Sequence, residues 1–250
     1  MGALARPPSA LSPLTLTLTL TLPKSGAAPL AFFPTALPGA AMTSAVAVNS
    51  AYDQTDLPSV LRAGVKLGLL QCVLIAAFGF IQPRVDGMVE LVVCGLILFV
   101  GIAATILLPG LWTRPRTIEG IAGAAGIGFA AAIVFLVVDV TLFQPLHLYT
   151  NRWLEIGGGS NWWYHPVWWM VGTFVPWMGA WIQANQTAKS GQPSPVVLIL
   201  GTLVLAAVCL GIGVLLGIPN THWGLGGMAV ATLPALALLT LITSLGARRR

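Results

Sequence analysis

From Leu57 onward the chain is a succession of long apolar runs, separated by proline, glycine or charge. A helix rises 1.5 Å per residue and the hydrocarbon core of a bilayer is roughly 30 Å thick, so a span takes about 20 mainly apolar residues. Six runs meet that length, over about 57–81, 88–108, 119–143, 166–182, 195–218 and 224–245. Pro109-Gly110 closes the second, Pro145 follows the third, and Pro234 lies inside the sixth. The fifth carries no charged side chain. The pattern predicts an all-α integral membrane protein, with residues 57–250 forming a six-transmembrane-helix bundle.

Charged residues are 8% of the 250, against about 25% in an ordinary soluble domain. Hydrophobic residues are 56% before the 28 glycines are counted. So few polar side chains could not cover a water-soluble globule. Soluble enzymes, nucleic-acid binders and secreted disulfide scaffolds are therefore poor readings. The formal charge of +5 does not point to nucleic acid, because the basic residues are scattered singly or in pairs apart from Arg248, Arg249 and Arg250. Cys72, Cys94 and Cys209 each lie in an apolar run. Their odd number and spacing fit neither a disulfide framework nor a zinc motif, and buried small side chains are the plain reading.

Residues 1–56 differ in kind. They hold seven of the 18 prolines, no acid before Asp53, and an alternating Leu-Thr tract over Leu14–Leu22. Alternation suits a strand, but a lone strand has no sheet to join. The segment reads as a disordered tail, a targeting segment, or translation upstream of a working start at Met42.

Basic residues then set the threading, since cytoplasmic loops carry an excess of Lys and Arg. With the amino terminus in the cytoplasm, that side holds Arg6, Lys24, Arg62, Lys66, Arg114, Arg116, Lys189 and Arg248–Arg250. The opposite side holds Arg84 and Arg152. Both termini come out cytoplasmic, and the expected location is a plasma or inner membrane. Arg62 and Lys66 are four apart, so they share a helical face and can snorkel to the headgroups. In the third run Gly120, Ala124, Gly128 and Ala132 recur every four residues, with Gly123 and Gly126 alongside. Gly213 and Gly217 repeat that relation in the fifth. Such spacing lets backbones approach closely, and packing within one chain is a plainer use of it than a dimer face. The two halves share no visible motif, which argues against an inverted-repeat carrier.

The polar chemistry collects at the outer side. His147, His165, His222, Asp86, Glu90 and Glu155 fall there, as does the longest connection, about Gln144–Asn161. That connection reads as an ordered cap hinged at Gly157-Gly158-Gly159. Seven of the nine tryptophans lie between Trp153 and Trp181. Trp162, Trp163, Trp168 and Trp169 crowd the start of the fourth run. Indoles favour the membrane interface, so two interfacial belts are the plain reading. The functional one is an aromatic wall for a lipid, quinone, carotenoid or other flat ligand. Trp169, Thr173, Trp177 and Trp181 step by four, so their row winds about 40° per step, with Pro176 an expected kink. Asp139 is the one carboxylate well inside an apolar run. It stands about 20 residues, or roughly 30 Å, from the start of its helix. That count puts it near the outer boundary, as a rim carboxylate or as a proton-relay or ligand group.

Three functions compete. The favoured one is a non-catalytic subunit or accessory protein whose Trp/His-rich outer face docks a membrane-protein partner, a lipid or a hydrophobic cofactor through His165, Trp162, Trp163, Trp168, Trp169, Asp139 and Glu155. The second is a small transporter or channel using Asp139. The third is a membrane enzyme, or a metal, haem or pigment site, drawing on His147, His165 and His222 with Asp139 and Glu155. No HxxxH or HxH pair supports a metal, and Gly157-Gly158-Gly159-Ser160 lacks the lysine of a phosphate loop. No nucleophile–base pair appears, so catalysis is the weakest of the three.

Overall fold

The computed structural model describes residues 55–148, 161–219 and 221–247, and the backbone alone for residues 161–165. Among the described residues six long helices follow in order: α1 (Leu57–Ile81), α2 (Gly87–Thr113), α3 (Ile118–Val138), α4 (Asn161–Ser190), α5 (Pro195–Leu215) and α6 (Leu225–Ser244). A 3₁₀ turn, Gln82–Arg84, extends α1, and a π-helical turn, Asp139–Phe143, extends α3. Among the described residues there is no strand. The tail, the glycine hinge, Trp153, Glu155 and Arg152 lie outside the described residues.

Among the described residues five helices, α1, α2, α3, α5 and α6, are long and apolar enough to cross a membrane. Their packing is inverted relative to a soluble protein. On α1, Leu57, Leu61, Leu69 and Val73 are exposed, while Gly64, Leu67, Gly68 and Cys72 are buried. On α5, Val196, Leu200, Val204, Val208 and Leu215 face outward, Leu215 at 87% exposure. Rows of large apolar side chains turned outward, with glycines and cysteine among the buried positions, leave a continuous apolar surface far beyond the few hundred Å² of a soluble monomer. The molecule is a membrane-embedded helical bundle.

Local signals start and stop the helices. Asp56 caps α1, its Oδ2 accepting the Ser59 N–H at 3.1 Å, with Pro58 in the first turn. Ser194 caps α5, its Oγ accepting the Val197 N–H at 3.4 Å, with Pro195 following. Both pairings satisfy amides that the first turn leaves open.

Two helices outrun their expected ends. Pro109 does not close α2 at Leu108: the helix continues to Thr113, whose Oγ1 donates to the Pro109 carbonyl at 3.1 Å. It stops at Arg114, which takes the left-handed conformation with φ 48°. The fourth run was expected to cover 166–182, but α4 spans Asn161–Ser190 and contains both Pro166 and Pro176. Its polar extension continues as helix because the amides find partners in neighbouring helices. Gly191 ends it, with φ +80° and its N–H on the Thr187 carbonyl at 2.8 Å. Conversely, α5 ends at Leu215, short of Ile218.

α4 is the hub. It packs against α3, α2 and α6, and lightly against α5. On one side α1 lies along α3, and on the other α5 pairs with α6. Glycines make the closest crossings. A Cβ at Gly179 of α4 would overlap the Ile106 carbonyl of α2, and one at Gly128 of α3 would overlap the Gly172 carbonyl of α4. That carbonyl is the one Pro176, lacking an N–H, leaves without its helical bond. Gly64 and Gly68 of α1 likewise abut Ala130 and Val134 of α3. The small-residue row of α3 thus serves packing within the chain. Ile106, Val175, Met178, Ile182, Leu198, Leu236 and Leu239 form the main core around α4.

Candidate functional site

Consecutive residues on a helix stand about 100° apart, and that separates tryptophans that look like one cluster in the sequence. Trp168 turns inward, its ring 4.8 Å from Phe135 in a core with Cys72, Leu136 and Phe143. Trp169 turns outward, 42% exposed, edge-on to Phe129 of α3 at 6.3 Å. One and two turns further, Thr173 and Trp177 join it, and Phe174, Met170 and Leu233 complete a lateral apolar groove of 600 Å³. The Thr173 hydroxyl donates to the Trp169 carbonyl at 2.7 Å, so it presents little polarity to the groove. By Trp181 the winding row has reached the core, where its ring meets Trp177 at 5.9 Å. Trp162, Trp163 and His165 lie on the first turns of α4, with side chains outside the described residues.

Asp139 is fully buried. It also sits deeper than the count along its own helix implies. Thr55 lies against Gly123, Val60 against Gly126, Gly64 against Ala130 and Gly68 against Val134. Continuing that register places Asp139 level with residues 72–73 of α1, about 12–14 Å short of Ile81. The start of α3 lies below that of α1, so distance from Ile118 overstates the height of Asp139. Its setting comes from the π turn. The Gln144 N–H bonds the Asp139 carbonyl at 2.9 Å, and the Gln144 side-chain amide donates to Asp139 Oδ2 at 2.7 Å. In an α-helix residues five apart stand about 140° round from each other, whereas the wider turn stacks them. π turns of this kind often mark functional positions.

A third polar group was missed in the sequence. Gln183, Asn185 and Gln186 of α4 are all buried, at 1%, 1% and 9% exposure. Gln183 rests on Gly110 of α2 and donates to the Leu107 carbonyl at 3.1 Å. Asn185 donates to Thr243 and Ser244 of α6 at 3.2 and 3.1 Å. Gln186 accepts the Ser194 N–H at 2.9 Å, tying α4 to the start of α5. Gln183 Oε1 and Gln186 Nε2 have no partner among the described residues. The available signal was their spacing, since 183, 186 and 190 lie on one face opposite the small and hydroxylated ends of α2 and α6.

His147 and His222 are exposed on different connections, the first after α3 and the second before α6. Among the described residues no group of three His, Cys, Asp or Glu side chains converges to hold a metal ion. Comparison with family models, curated proteins and solved structures finds no match to this chain.

Proposed function

We propose that this chain is a six-span, non-catalytic membrane protein that holds a lipid-soluble molecule in the groove beside Trp169 and Trp177. One observation carries the reading: Trp169, Trp177 and Phe129 are turned outward, and with Phe174 at the edge of the core they wall an apolar groove on the bilayer side of the hub helix. Rings spaced along a helix suit a flat or chain-like occupant such as a quinone, carotenoid or isoprenoid tail, drawn sideways from the bilayer. In this reading α4 is the sixth span. Its 30 residues reach about 45 Å, and its amides face neighbouring helices rather than lipid. Six crossings put both termini on the cytoplasmic side with the Lys/Arg-rich ends.

The test is purification of the full chain in mild detergent, followed by organic extraction and mass spectrometry. A stoichiometric lipid-soluble species is expected, and it should be lost from the W169A/W177A double variant. An extract identical to that of the empty micelles would contradict the proposal.

A second reading, a small transporter or channel, is favoured by the buried Asp139 in its π turn. It requires water to reach that carboxylate. Cys72, buried on α1 at the same level, reports on this directly. Modification of Cys72 by an impermeant thiol reagent in the folded protein would support the path, and an inert Cys72 would remove it.

A further inference from the structure

A different site lies at the opposite end of the bundle from the π turn. There α1, the end of α2 and α3 border an open cleft of 290 Å³. Arg62 and Lys66, four apart on one face of α1, line it together with Arg114, the residue that terminates α2. None of its lining residues is acidic. The carboxylate of Asp56, the cap of α1, accepts the Ser59 N–H and also feels the charge of Arg62, while Lys66 and Arg114 stand apart from it. Arg62 Nε donates to the Pro58 carbonyl at 3.2 Å, which leaves the outer guanidinium nitrogens for another acceptor. Lys66 and Arg114 have no side-chain partner among the described residues. Three cations round one cleft repel one another unless an anion lies between them. Trp112 and Ile127 supply an apolar wall, and Ser59 a hydroxyl. Polar head space beside apolar wall, at the end of the spans, is the shape of a lipid at the membrane boundary.

We propose that Arg62, Lys66 and Arg114 bind the phosphate of an anionic phospholipid in the leaflet they face. Guanidinium groups pair with phosphate in a bidentate fork, and the lysine adds a point charge. Basic pockets between helices on the cytoplasmic side suit such headgroups, and each cation strengthens the attraction about fivefold.

The experiment uses the full chain in neutral detergent, with lipid adducts counted by native mass spectrometry. Phosphatidylglycerol should be retained about tenfold or more over phosphatidylcholine. That preference should fall several-fold in R114Q and disappear in R62Q/K66Q/R114Q. Should the triple variant fail to fold, R114Q against R114K decides the matter, since the lysine retains the charge and should retain most of the preference. Equal retention of the two lipids by the native chain would overturn the proposal. So would an unchanged preference in the variants. Displacement of phosphatidylglycerol by inorganic phosphate at equal concentration would overturn the lipid as the source of the anion.

Discussion

At Gly179 a hydrogen atom occupies the only space between α4 and the Ile106 carbonyl. Backbone cannot move aside as a flexible side chain can. Gly179→Ala is therefore expected to destabilise the bundle by about 1–3 kcal/mol, read as a lower unfolding temperature in detergent. Gly226→Ala is the matched control, because open space surrounds that position. It should be neutral or slightly stabilising, as glycine is a poor helix former. Asp56 shows a different local effect. Ser59 holds its carboxyl below the ordinary carboxylate range, chiefly through its side chain and then through its N–H. A depressed native pKa means that the cap supports α1 fully above the ordinary carboxylate value. The support is lost as pH falls through the depressed value. Amide-exchange protection at Ser59 and Val60, corrected for intrinsic rate, should fall on acidification in the native chain. In Asp56→Asn that fall should vanish, since asparagine caps without titrating. Single residues were unevenly legible. The small row of α3 stood out in the sequence, but Gly172 and Gly179 of α4 were hidden among tryptophans, because the face a residue takes depends on neighbours that no spacing names.

At the scale of the helix, α4 explains both what was readable and what was not. Apolar runs bounded by proline and charge marked α1, α6, and α3 together with its π turn, to within a residue or two. The same rule failed at Pro109 and after Ile182. Hydropathy scores an amide as a stop, while the bundle pairs one end of each: Gln183 uses the Leu107 carbonyl and Gln186 the Ser194 N–H. These two glutamines should respond differently to leucine. Gln186→Leu leaves the Ser194 N–H without its acceptor and should lower stability by about 1–3 kcal/mol. Gln183→Leu removes the orphaned Oε1 along with its one bond. It should change stability by less than Gln186→Leu in the same thermal assay. The π turn was equally hidden, because an extra residue per turn leaves no periodic trace, and only the stacking of Gln144 on Asp139 reveals it. Of the aromatic site, the concentration of tryptophan was legible. The division into an inward Trp168 and an outward Trp169 was not, since it depends on where α3 lies.

For the whole molecule, the distribution of apolar surface and of basic residues leads to one arrangement. Large aliphatic side chains turn outward along α1, α2 and α5, and Arg62, Lys66 and Arg114 gather at one end. The central claim is that α4, the least apolar of the six helices, crosses the bilayer. Its flanks must then lie on opposite sides. Single cysteines at Leu146, before α4, and at Gln192, after it, are both at exposed positions. The measurement is their labelling by an impermeant maleimide in intact spheroplasts, with Cys72, Cys94 and Cys209 replaced. The expected result is labelling at 146 and protection at 192 until the membrane is opened. Labelling of both positions from the outside would place the two ends of α4 on one side, and the six-span arrangement would be wrong.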